Sequence, residues 1–149
     1  MQVHIADIRA ADTYGLRRRV LRPDHPDSSL DYPGDQEPGA FHLGAFDDDD
    51  RLVAVASFLP NRWDERPDTP ALQLRGMAVE PGLQGGGIGR LLLEAGLTRA
   101  RREGAQLVWA KGRDAVLGFY ERLGWKAVGD GYLYGPAQLP HHTMVLELP

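Results

Sequence analysis

Along most of this chain apolar and polar residues alternate over short stretches, and they lengthen into helical periodicity at only three places. Residues 3–8 are short and partly alternating, which predicts a first strand. Residues 10–21 carry Leu16 and Val20, flanked by the Arg17-Arg18-Arg19 run, and read as a helix. Two apolar runs, 41–46 and 51–59, enclose Asp47-Asp48-Asp49-Asp50 and predict a hairpin with a charged turn. Residues 72–79 give a further strand, ended by Pro81-Gly82. Over 87–102, Ile88, Leu91, Leu92 and Ala95 recur at i, i+3, i+4 and i+7, while Leu93, Leu97 and Ala100 widen the apolar face of a helix. Residues 107–110 form a strand of buried character, Asp114 is placed to cap a helix over 115–123, and Gly124 ends it. Residues 125–128 and 143–148 supply the last strands.

The order β-α-β-β-β-α-β-α-β-β contains one parallel βαβ unit over 72–110, with antiparallel hairpins on either side. It predicts an α/β (α+β) fold in one domain over residues 1–149. The sheet is mixed and mostly antiparallel, with six to seven strands and helices on both faces. The segment 22–40 carries Pro23, Pro26, Pro33 and Pro38 and is a long loop, of a kind often functional inside a small domain.

Composition narrows the classes. At 149 residues, with 42% hydrophobic and 26% charged side chains, a single globular unit is expected. The absence of cysteine excludes disulfides, thiolate metal sites and a cysteine nucleophile. Neither a leader-like start nor an apolar run long enough for a membrane span is present, so a cytoplasmic protein without a membrane partner is expected. The net charge of −4 argues against a nucleic-acid partner. The four consecutive aspartates lack the spaced ligands, glycine and distal glutamate of a calcium loop, and no metal is expected. Charge is uneven: residues 1–22 sum to +3, 23–70 to −9 and 71–149 to +2. That split suits a cationic substrate beside an anionic cofactor, and equally an ordinary clustered surface.

The segment Val79-Glu80-Pro81-Gly82-Leu83-Gln84-Gly85-Gly86-Gly87-Ile88-Gly89-Arg90 lies where a strand gives way to a helix. Amides without side chains in the way can converge there on a phosphate, aided by the helix terminus. No lysine is present for a Walker loop, and the glycine spacing misses the dinucleotide fingerprint. What remains, Gln84-x-x-Gly87-x-Gly89, resembles the Gln/Arg-x-x-Gly-x-Gly/Ala signature of the GNAT superfamily of N-acetyltransferases. Residues 114–125, with Phe119-Tyr120-Glu121-Arg122-Leu123-Gly124-Trp125, are similar to that family's second hallmark, and Arg75-Gly76-Met77-Ala78-Val79 also has its look.

The resemblance implies acetyl-CoA as co-substrate. Met77, Ala78 and Val79 would hold pantetheine through their backbone, and Gln84, Gly85, Gly86, Gly87, Ile88, Gly89 and Arg90 would cradle the pyrophosphate. The neighbouring strand would splay away to open the wedge, with Phe119 beside the cofactor. Tyr120 matches the family's frequent general acid toward the CoA thiolate. Arg113 stands where many members carry a pantetheine-binding asparagine, and it meets cofactor, acceptor carboxylate or solvent. His42, His141, His142 and Glu80 are the candidate bases. The function implied is acetyl transfer to a primary amine of a small molecule or peptide by direct attack, which the missing cysteine favours. Asp24, Asp27, Asp31 and Asp35 in the long loop would favour a cationic acceptor if they face the cleft. Homodimers are frequent in the family. The rival reading is a non-catalytic acyl-CoA sensor, which would keep the glycine turn without needing Tyr120.

Overall fold

The computed structural model describes residues 2–25 and 29–149. Seven strands form one sheet in the order β1-β2-β3-β4-β5-β7-β6. They are β1 (His4–Ile8), β2 (Phe41–Phe46), β3 (Leu52–Pro60), β4 (Ala71–Val79), β5 (Leu107–Arg113), β6 (Lys126–Tyr134) and β7 (Leu139–Glu147). Only β4 and β5 run parallel, because a helix carries the chain between them; every other neighbouring pair is antiparallel. In the β2–β3 hairpin the Asp47 carboxylate accepts the amides of Asp49 and Arg51, each at 2.9 Å. The aspartates thus build a turn.

Central burial explains the long apolar run in β3: seven consecutive residues from Val53 to Leu59 are buried, as a strand covered on both faces requires. On one face lie α2 (Ile88–Arg102) and α3 (Leu117–Arg122). Leu92 and Leu93 of α2 are wholly buried in the main core, each worth about 1.5–3 kcal/mol. On the other face lies a helical segment that changes pitch: 3-10 over Ala10–Thr13, one α turn (α1, Tyr14–Leu16), then π over Arg17–Leu21. Leu16 packs there on Val55 and Ala78.

Two irregularities set the course of β4. Val55 pairs with Ala78 but Ser57 with Arg75, so β4 carries one extra residue, with Gly76 at φ 63°. The bulge reverses the alternation. Leu72 and Leu74 face the main core before it, Met77 and Val79 after it. The second irregularity is that β4 and β5 pair only from Ala71/Leu107 to Leu74/Ala110, although both strands continue. Beyond that point they splay into an open wedge.

The ends of several elements differ from expectation. The β6 strand runs to Tyr134, past a register shift between Val128 and Tyr132, and β7 begins at Leu139. Asp114 does not cap α3. It opens a 3-10 turn (Asp114–Val116), and its carboxylate is bonded to His142 at 2.7 Å. No helix is long and apolar enough to cross a membrane among the described residues.

Candidate active site

The wedge opens into a cleft of about 1190 Å³ bordered by the end of the π turn, β4, the glycine turn, β5, α3 and the β6–β7 turn. Met77, Ala78, Val79, Gln84, Gly85, Gly87, Ile88, Gly89, Arg90, Arg113, Phe119 and Tyr120 all line it. Gly86 does not; it lies back against the Leu83 carbonyl. On the wedge side, residues 75–79 and 111–113 have no strand partner, because β4 bonds only to β3 there and β5 only to β7. Unpaired backbone along a cleft can bind an extended ligand rich in amides.

The glycine turn is built for its position. Gly87 is the N-cap of α2 at φ 88°, and Gly85 sits at φ 84°. A Cβ at either would meet nothing within 4 Å, so backbone conformation demands these glycines, and their surface stays open toward the cleft. The first turn of α2 has no side-chain cap, which leaves its amides for an anion. The Gln84 amide donates to the Val79 carbonyl at 3.1 Å and ties the turn to β4. Arg90 is ion-paired to Glu94 at 2.8 Å.

Tyr120 lies on α3 between Phe119 and Trp125, with edge-to-face ring distances of 5.4 and 5.2 Å. Burial pushes its phenol up to about 12. Among the described residues its hydroxyl has no hydrogen-bond partner. A largely buried phenol whose hydroxyl reaches an open cleft is a hydrogen-bond donor available to a ligand there.

The four candidate bases separate on geometry. Glu80 is tied to Arg19. His42 is buried, and both ring nitrogens are used: Nε2 donates to the Asp35 carbonyl at 3.0 Å, and Nδ1 lies 2.7 Å from Ser57 Oγ. His142 is bonded to Asp114 and does not border the cleft. His141 does border it. Its Nδ1 lies 2.7 Å from the Leu139 carbonyl, which can only accept, so Nδ1 carries the proton and the neutral ring keeps a lone pair on Nε2.

Of the loop carboxylates expected to favour a cationic acceptor, two of the three described, Asp31 and Asp35, do not border the cleft. Asp35 is buried and its carboxylate takes Arg17 at 2.8 and 3.1 Å. Burial alone raises the Asp35 carboxyl, but Arg17 and the Tyr32 amide outweigh it and hold it below the usual carboxylate range. Asp31 is exposed and bonded to Ser29, and Asp27 lies outside the described residues. Only Asp24 borders the cleft.

The sequence reading missed the buried Arg17, which also donates to the Leu30 carbonyl and to Ser57 Oγ. It likewise missed the wall formed by Arg22, Tyr32, Arg75, Lys111 and Tyr134. One signal was legible: Leu107, Trp109, Lys111 and Arg113 alternate onto one face of β5. Nothing in the loop pattern marks Tyr32.

Wedge, glycine turn and buried tyrosine define an acyl-CoA-binding acyltransferase fold. Residues 8–125 match the Acetyltransferase (GNAT) family, and the chain belongs to it. It is 35% identical over 130 residues to the uncharacterized N-acetyltransferase YitI of Bacillus subtilis (strain 168), covering 87% of each chain. Among solved structures it superimposes on Escherichia coli ElaA with a TM-score of 0.78, at 20% identity over 98% of this chain and 100% of that one. An aminoglycoside 6'-N-acetyltransferase complexed with coenzyme A gives 0.74 at 17% identity, covering 98% of each chain. The protein is therefore an acyl-CoA N-acetyltransferase, of a family whose donors are acyl-CoA thioesters.

Proposed function

We propose that the donor is acetyl-CoA, that the acceptor is a primary amine, and that transfer is direct, within a cytoplasmic acetyltransferase domain spanning residues 1–149. The observation that carries this reading is the β4–β5 wedge, which has an uncapped helix N-terminus at one side and a neutral buried tyrosine at the other. In this reading the amides of the turn from Gln84 to Arg90, Gly86 included, hold the pyrophosphate. The unpaired edge at Met77, Ala78 and Val79 holds the pantetheine arm, and Phe119 packs beside it.

The amine nitrogen attacks the thioester carbonyl, the C–S bond breaks, and the electron pair leaves on sulfur. Tyr120 donates a hydrogen bond to that sulfur. A phenol near 12 facing a thiol near ~8.5 makes complete proton transfer uphill by about 5 kcal/mol, so the hydrogen bond and not a free tyrosinate carries the stabilisation. The proton lost by the amine goes to His141 Nε2, directly or through water.

The test is release of free CoA from acetyl-CoA across a panel of primary amines, with the acetylated amine identified by mass. Amine-dependent release is expected. Tight acetyl-CoA binding with no turnover on any amine would overturn the reading in favour of the sensor.

A further inference from the structure

Of the cations that border the cleft, Arg90 is paired with Glu94, whereas Arg22, Arg75, Lys111, Arg113 and Arg122 form no ion pair among the described residues, and the first four of these share partners. Arg75 lies 4.1 Å from the centroid of the Tyr32 ring, and its Nη2 is 3.5 Å from the Tyr134 hydroxyl. Lys111 Nζ lies 4.1 Å from the centroid of the Tyr134 ring, so one tyrosine brings two cations together. Arg22 and Arg113 both donate to a single oxygen, the Leu21 carbonyl, at 3.0 and 3.4 Å. Burial first, and then the charge of Arg22, lower the Arg113 pKa against an opposing contribution from Tyr32, as expected where like charges are crowded.

These cations are set apart from the phosphate turn. Val108 and Ala110 face the main core with α2, whereas Trp109 packs on the opposite face with Trp63 and Val128. Lys111 and Arg113 continue the Trp109 phase along β5, and Arg75 shares the phase of Gln73, opposite Leu74. The four therefore face the side of the helical segment and its loop, across the sheet from the uncapped α2 terminus.

We propose that this cluster binds an anionic oxygen group, a carboxylate or a phosphate, carried by the acceptor itself, so that the acceptor is an amine with an acid at its other end and not a polyamine or an aminosugar. Planar guanidiniums with unused donors match either anion, and Tyr32 and Tyr134 hold them in place. The inference rests on the acetyl-transfer reading above.

The experiment compares ω-amino acids of two to six carbons with their uncharged amides, with aminoalkyl phosphates and with 1,4-diaminobutane, in the CoA-release assay. The acids or the phosphates are expected to exceed amides and diamine at least tenfold in kcat/KM, and whichever arm leads identifies the anion. Arg75→Gln, Lys111→Met and Arg113→Gln should each bring the acid-to-amide ratio toward one. Equal use of amides overturns the proposal while leaving the transferase reading intact. So do variants that weaken acetyl-CoA binding and leave the ratio unchanged, since the cations would then serve the cofactor. If no amine releases CoA, the transferase reading fails, and calorimetric titration of the same acids and amides into CoA-loaded protein decides the cluster: equal binding overturns it and preferential binding of the acid upholds it.

Discussion

Replacing Tyr120 by phenylalanine removes one hydroxyl and little else. The ring contacts with Phe119 and Trp125 survive, and no protein group loses a hydrogen bond, because the hydroxyl has none among the described residues. The free protein should therefore keep its stability to within about 1 kcal/mol. Catalysis should behave oppositely. A donor aimed at charge developing on sulfur in a dry site is worth about 2–4 kcal/mol, a loss of about 30- to 1000-fold in kcat. Acetyl-CoA, whose sulfur carries no charge before the transition state, should bind within about twofold of the wild type. The assay is steady-state CoA release on a productive amine, with acetyl-CoA affinity by calorimetry and Tm by thermal melt. A variant retaining kcat within threefold removes Tyr120 from the mechanism. One that loses activity through a lowered Tm removes the argument from the unpartnered hydroxyl. The wild type should show no alkaline loss of stability from Tyr120 below pH ~10. Its raised pKa keeps its contribution whole below the unfolded value near ~10, and it is lost only as pH climbs through about 12.

Asp35→Asn leaves the Arg17 guanidinium buried without its counter-ion and should cost about 3–5 kcal/mol by urea unfolding at pH 7; a loss under 1 kcal/mol would contradict the pairing. Because the Asp35 pKa is depressed on folding, its contribution is complete above the unfolded value near ~3.9 and fades as pH falls through the folded one, so the wild-type and variant unfolding curves should converge in acid. Gly87→Val forces a β-branched residue to φ 88° and should destabilise by about 1–3 kcal/mol, whereas Gly87→Asn suits that conformation. If the turn holds the pyrophosphate, both variants weaken acetyl-CoA binding in titration calorimetry, and unaltered affinity in both sinks that assignment. His141→Gln should lower kcat on a fixed amine by about 10²-fold or more with acetyl-CoA affinity retained; an unchanged kcat points to another proton acceptor.

Much of the fold was readable because periodicity and turn chemistry are local. The Ile88/Leu91/Leu92/Ala95 spacing located α2, and the glycines located its start within a residue. The parallel β4–β5 pair followed from the helical crossover between them, whereas the insertion of β7 between β5 and β6 depends on long-range pairing. Where long-range partners decide, local pattern fails. Arg17 sits in a run of three arginines that looks solvated, yet it is fully buried because Asp35, eighteen residues on in an irregular loop, and Ser57 on β3 meet it. The histidines were told apart only by what faces each nitrogen: Ser57 and Asp35 for His42, Leu139 for His141. The end of β6 was hidden because Gly129 and Gly131 interrupt its alternation, and pairing with Leu139 and Pro140 of β7 restores it. Asp35 was hidden for a related reason, since net charge along a segment does not say which carboxylate is turned inward.

The bulge at Gly76 makes the cleft a matter of counting. Delete one residue between Arg75 and Met77, and β4 keeps its composition while every side chain after the deletion changes sides. Met77 and Val79 would turn from the main core toward the helical segment, and Ala78 would turn the other way. For a protein aligned with this one, a gap at that point is therefore a rebuilt cleft wall, even where every flanking residue is identical.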